Sequence, residues 1–143
     1  MNFRMMVRVF LIVILAASVP LAGSAQNAIL VQQYQGVNYV SGGVGEDERH
    51  ALESLGKEFN LKLTFALKSG QYLSDVNVRI VDSQGTLVLT ATADGPLFYA
   101  NLAPGTYSVE AGGFGESYRQ SAKISGRQQT RLIFYWPASA AGS

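Results

Sequence analysis

The chain has 143 residues, 48% of them hydrophobic and 15% charged, with a formal net charge of +1 and no cysteine. These figures exclude a disulfide-stapled scaffold, so any fold depends on its apolar core. They also argue against a nucleic-acid or anionic-membrane surface, because the body of the chain holds no basic cluster.

In residues 1–25, Arg4 and Arg8 precede an apolar run from Val9 to Ala17, followed by Pro20 and the small residues Ala22-Gly23-Ser24-Ala25. That order predicts a secretory signal peptide cleaved after Ala25, since the run is shorter than the ~20 residues a spanning helix needs. A retained N-terminal anchor is the competing reading. Cleavage would leave nine basic against ten acidic side chains, about −1, and no membrane span. The mature protein is then expected to be periplasmic or secreted, and the lack of cysteine excludes a lipoprotein.

Residues 26–45 are rich in Gln, Gly and Ser and read as an irregular arm with at most one edge strand. Residues 46–59 carry a helical signal. Leu52, Leu55 and Phe59 share one face, Glu46, Asp47 and Glu48 fill the first turn, and Glu53 and Lys57 pair at spacing four.

From Asn60 the hydrophobic period becomes two. Leu61, Leu63 and Phe65 alternate with Lys62 and Thr64; Val76, Val78 and Ile80 with Asn77 and Arg79; Tyr107, Val109 and Ala111 with Ser108 and Glu110. Leu132, Phe134 and Trp136 stand opposite Arg131, Ile133 and Tyr135, and residues 86–92 and 117–125 give two weaker runs. Turn residues such as Asp82-Ser83-Gln84-Gly85 and Asp94-Gly95-Pro96 punctuate them. The pattern predicts a mainly β chain: a seven-stranded antiparallel sandwich over residues 60–136, one short N-terminal helix, and a disordered tail over 137–143.

The stretch "YLSDVNVRIVDSQGTLVLTATADGPLFYANLAPGTYSVEAGGFG", residues 72–115, resembles the carboxypeptidase regulatory-like domain, a small sandwich of transthyretin-like topology. Its mark is Leu102-Ala103-Pro104-Gly105-Thr106-Tyr107-Ser108-Val109, in which Pro104 presets its φ and Gly105 suits a tight turn. The upstream stretch "YVSGGVGEDERHALESLGKEFNLKLTFAL" resembles the leader of small exported bacterial proteins that carry this domain alone and have no assigned activity. The resemblance implies an accessory or binding module. No cofactor is expected.

"SGGVGEDERHALESL", residues 41–55, has the glycines of a phosphate loop but lacks its Lys-Ser/Thr, and three carboxylates follow them. His50 is the only histidine, which makes a zinc site unusual, and no GxSxG elbow supports a Ser-His-Asp triad. Asp82 and Asp94 lack the dense ligand pattern of a calcium loop. Tyr118-Arg119-Gln120-Ser121 is a near miss to the Tyr-Arg-Gly-Ser of hydroxyisourate hydrolase, another transthyretin-like protein, and His50 would have to supply its proton transfer.

No catalytic residue is therefore expected. Binding residues are sought among Tyr72, Tyr99, Phe114, Tyr118 and Tyr135, aromatics that could stack on sugar rings or a partner's apolar groups. Core packing is the alternative for each, evenly balanced for Tyr99 and favoured for Tyr107 and Trp136. The expected partner is another envelope protein, or a glycan in a carbohydrate-binding reading. Edge-strand pairing is a second route, which Lys62, Arg79 and Lys123 could oppose.

Overall fold

The computed structural model describes residues 29–142, with the side chains of 141 and 142 left aside. The expected signal segment at 1–25 lies outside the described residues. Nine strands and one α-helix follow in the order β1 (Gln32–Tyr34), β2 (Val37–Gly42), α1 (Glu46–Gly56), β3 (Leu61–Leu67), β4 (Asn77–Asp82), β5 (Leu87–Thr92), β6 (Leu97–Ala100), β7 (Gly105–Gly113), β8 (Glu116–Ile124) and β9 (Thr130–Trp136). They form a five-stranded sheet in the order β1-β2-β6-β3-β9 and a four-stranded sheet in the order β5-β4-β7-β8.

The described residues are mainly β, with two sheets and one α-helix, and hold nine strands rather than seven. The two additional strands come from the arm expected to be irregular. Gln35 and Gly36 both take positive φ, 46° and 84°, and so make the two-residue turn whose twist suits a hairpin. Gln-Gly is a weaker turn signal than Asn-Gly. The hairpin is held less by its own sequence than by β2 pairing with β6, Val40 opposite Tyr99.

The sheets are not wholly antiparallel. β9 runs parallel to β3 over seven register pairs, from Leu61 opposite Thr130 to Leu67 opposite Trp136. β6 was not anticipated, because all four of its residues are buried and a strand covered on both faces shows no alternation.

Alternation dictates the main core. Leu61, Leu63, Phe65 and Leu67 of β3 meet Val78 and Ile80 of β4, Tyr107, Val109 and Ala111 of β7, and Phe134 and Trp136 of β9 between the sheets. Trp136 is fully buried, donates its Nε1–H to Gly113 O at 3.0 Å, and meets the rings of Phe65, Phe114 and Tyr118 edge-on.

A second cluster forms outside the larger sheet, where α1 lays Leu52 on Val40, Leu97 and Tyr99. The helix ends at Gly56, three residues before its expected limit. A turn follows, closed by Glu58 N–H to Leu55 O at 3.2 Å and Phe59 N–H to Gly56 O at 3.0 Å, and it still delivers Phe59 to this cluster. The tail is also ordered over Ala138–Gly142 as a 3-10 turn, with Ala140 packed against the main core.

Candidate binding face

Three register rows define the outer face of the β6-β3-β9 half of the larger sheet. Tyr99, Lys62 and Arg131 make the first row, and Leu97, Thr64 and Ile133 the second. β6 then ends, with Phe65 N–H donating to Pro96 O at 2.9 Å. The chain turns at Ser69-Gly70 and returns along β3, Leu67 N–H to Gln71 O at 2.7 Å and Leu73 N–H to Phe65 O at 3.1 Å. This return bridges Tyr72 to Ala66, which on its other side faces Tyr135 of β9, so the third row is Tyr72, Ala66 and Tyr135.

Paired residues share a face, so the two tyrosines flank one alanine, about 10 Å apart at two strand spacings. Helix α1 covers the Leu97 and Tyr99 side and leaves the rest open. Tyr72 and Tyr135 are each 48% exposed and Ile133 46%. Val44, 60% exposed, borders a hollow of about 220 Å³ against Tyr72, Ser74 and Pro96. Arg49 stacks over Tyr72, its guanidinium carbon 4.9 Å from the ring centroid, and Lys62 lies 5.8 Å over Tyr99.

The glycines beside this face have structural work. Gly43 and Gly45 take positive φ of 94° and 89°, and Gly42 packs so closely on Gly95 that a Cβ there would overlap the Gly42 carbonyl. Glu48 accepts from Gly43 N–H at 3.3 Å, so a carboxylate occupies the position a phosphate would need.

The sequence-derived aromatic residues fall in three places. Tyr72 and Tyr135 share the open face. Phe114 and Tyr118 lie elsewhere, against Trp136 with ring centroids 6.3 and 5.2 Å away, and Phe114 is still 43% exposed. Tyr99 is a correction to the expectation of an open aromatic: it is 2% exposed, beneath α1, because β6 runs through the middle of the larger sheet. Burial raises the pKa of its hydroxyl, the Glu53 charge adds to the rise, and Arg131 opposes it. Val44 and Arg49 carry no sequence signal that marks them for this face, whereas the outward position of Ile133 follows from the alternation in β9.

The remaining candidates are dispersed. His50 is exposed on α1, 3.8 Å from Glu46. Arg119 pairs with Glu110 at 3.0 Å on the smaller sheet, whereas α1 packs on the larger one, so the imidazole and the guanidinium stand on opposite sides of the sandwich. Asp82 accepts from the backbone N–H groups of Gln84 and Thr86, both at 2.9 Å, and closes its own turn. Among the described residues no group of three or more His, Asp or Glu side chains is placed to hold a metal. A shallow groove of about 490 Å³ on the smaller sheet runs between Asp82, Thr106, Ser108, Arg119 and Ser121. No helix among the described residues is long and apolar enough to cross a membrane.

No family model matches the chain, and no curated protein matches it.

Proposed function

We propose that the protein is a non-catalytic, exported β-sandwich module that binds another envelope protein through the face carrying Val44, Tyr72, Ile133 and Tyr135. The observation that carries this reading is that, of the seven exposed large hydrophobic residues among those described, Tyr72, Ile133 and Tyr135 lie on adjoining rows of one sheet face and Val44 borders the hollow beside Tyr72. A contiguous exposed apolar patch is the ordinary mark of an interaction surface. Arg49, Lys62 and Arg131 on or beside these rows favour a partner that offers acidic groups around an apolar centre. Export is supported by the order of basic, apolar and small residues at the N-terminus.

The sandwich is proposed to be Ig-like, of the carboxypeptidase regulatory-like, transthyretin-like kind. Seven of its strands, β3 to β9, split three and four between the sheets. Tyr107, just after Pro104-Gly105, donates its hydroxyl to Ala103 O at 2.6 Å, the corner bond that pins the start of a strand in Greek-key sandwiches. A non-catalytic role is supported by the separation of His50 from Arg119, which leaves a hydrolase of the hydroxyisourate type without a joined acid-base pair.

A carbohydrate reading is second, favoured by one observation: Tyr72 and Tyr135 flank Ala66 at a separation that admits a single sugar ring. Both readings are tested with one variant. Tyr72→Ala/Tyr135→Ala is expected to keep the melting temperature and lose a partner that the parent protein retains from envelope extracts. Loss of glycan-array signal without loss of a protein partner would favour the carbohydrate reading. A variant that binds everything the parent binds would refute both.

A further inference from the structure

The two sheets have four edges, and three are protected against pairing with another chain. β1 is only three residues long. β8 and β9 close on each other through side chains: Gln120 donates to Ile133 O at 2.7 Å, and Thr130 donates to Lys123 O at 2.6 Å. β8 also carries Glu116, Arg119 and Lys123. Charge, brevity and capping are the usual defences of an edge strand.

β5 is the least defended: Val88 bulges at its start and β1 lies beside it, but the rest of the strand has no such protection. Residues 86–93 contain no charged residue and no proline. The strand is hydrogen-bonded only to β4, and β1 lies beside it without a backbone bond to it among the described residues. The direction of its free groups follows from Ala93, whose N–H donates to Val76 O at 2.8 Å and whose C=O accepts from Asp75 N–H at 3.0 Å. Both bonds point to the β4 side, and backbone groups alternate along a strand, so Thr92 and Thr90 turn theirs outward.

We propose that β5 pairs antiparallel with β5 of a second copy of this chain about a two-fold axis at Ala91. The pairing with β4 is irregular at Ile80 and Val81 and regular from Leu89 onward, which centres the usable edge, residues 89–93, on Ala91. In this register Thr90 of one copy faces Thr92 of the other and exchanges both N–H and C=O bonds with it, and the symmetry repeats the pair. An isologous contact of this kind must be self-complementary. An uncharged strand with matching threonines meets that demand: the Thr92 hydroxyl donates to Asn77 Oδ1 at 3.0 Å and can still accept from the Thr90 hydroxyl facing it. The two smaller sheets then run on as one. The contact lies on the opposite sheet from the Tyr72 and Tyr135 face and stands or falls independently of it.

The test is sedimentation equilibrium of the purified protein from about 10 µM to several hundred µM, the range a small single-strand interface demands. The parent is expected to dimerise reversibly. Thr90→Lys/Thr92→Lys sets like charges opposite each other and is expected to raise the dimer dissociation constant about 100-fold or more. Thr90→Lys/Thr92→Glu sets opposite charges across the same pairs and is expected to restore association to within about tenfold of the parent. Buried-tryptophan emission and the thermal midpoint check that each variant is folded. A parent that stays monomeric, a double lysine variant that still dimerises, or a charge-reversed variant that stays monomeric would overturn the proposal. Tyr72→Ala/Tyr135→Ala is expected to leave the dimer unchanged.

Discussion

Gly56, the last residue of α1, lies directly against the ring of Tyr99 on β6, so that a Cβ at position 56 would overlap the aromatic carbons. The contact sets how closely the helix approaches the larger sheet. It also explains why Tyr99 is core rather than an open stacking surface.

Gly56→Ala is expected to destabilise the protein by about 1–3 kcal/mol, the usual cost of overpacking a filled site. The gain in helix propensity, about 1 kcal/mol at most, does not cancel it. Urea unfolding with Gly56→Ala, Tyr99→Ala and the double variant measures the contact. The two costs are expected to be less than additive, because removing the ring makes room for the methyl group.

The docking of α1 predicts a larger effect. Leu52 is fully buried and Leu55 packs at the border of the same cluster. Leu52→Ala/Leu55→Ala is expected to cost several kcal/mol, most of it from Leu52. A melting curve unchanged from the parent would show that the helix contributes nothing to the fold.

Asn60 holds the turn that starts β7. Its side chain accepts from Leu102 N–H at 2.9 Å and donates to Leu102 O at 2.7 Å. Asn60→Asp keeps the acceptor but replaces the donor with an oxygen facing a carbonyl, and is expected to cost about 1–3 kcal/mol. Asn60→Ala should cost a similar amount by leaving both groups of Leu102 unpaired. Denaturant midpoints of the two variants are the measurement.

Alkaline pH should unfold the protein through two tyrosines. Burial raises the pKa of Tyr99 and of Tyr107 above the ordinary value of 10.0, with further rises from the charges of Glu53 and Asp82 respectively. A tyrosine whose folded-state pKa exceeds its unfolded value contributes stability that is whole below about pH 10 and lost as pH rises through the folded value. The denaturant midpoint is therefore expected to be level near pH 8 and to fall above about pH 10. Tyr107→Phe removes the Ala103 bond, lowering the midpoint at every pH, and flattens the alkaline fall.

Much of this fold was legible residue by residue. The inward set Leu61, Leu63 and Phe65 and the outward set Arg131, Ile133 and Tyr135 occupy the faces that alternation assigns them. β6 was not legible, because burial on both faces erases the period on which such reading depends. Neither was the β1-β2 hairpin, whose order comes from pairing with β6, fifty-nine residues along the chain at Val40 and Tyr99.

The binding face shows the same division. That Tyr135 points outward follows from its own strand. That Tyr72 shares its row follows only from the return of the chain past Gly70 onto Ala66, a contact that local sequence does not specify. Tyr99 and Tyr72 look alike as aromatic residues near strand ends, and only the order of strands in the sheet separates the covered one from the open one.

The adjacency of β3 and β9 bears on how the molecule is made. Leu61 finds Thr130 sixty-nine positions further on, so the larger sheet acquires β9 only after every other strand of the sandwich is present. Such distant partners make for slow acquisition of native structure. The lone tryptophan, on β9, is the natural reporter of that final closure.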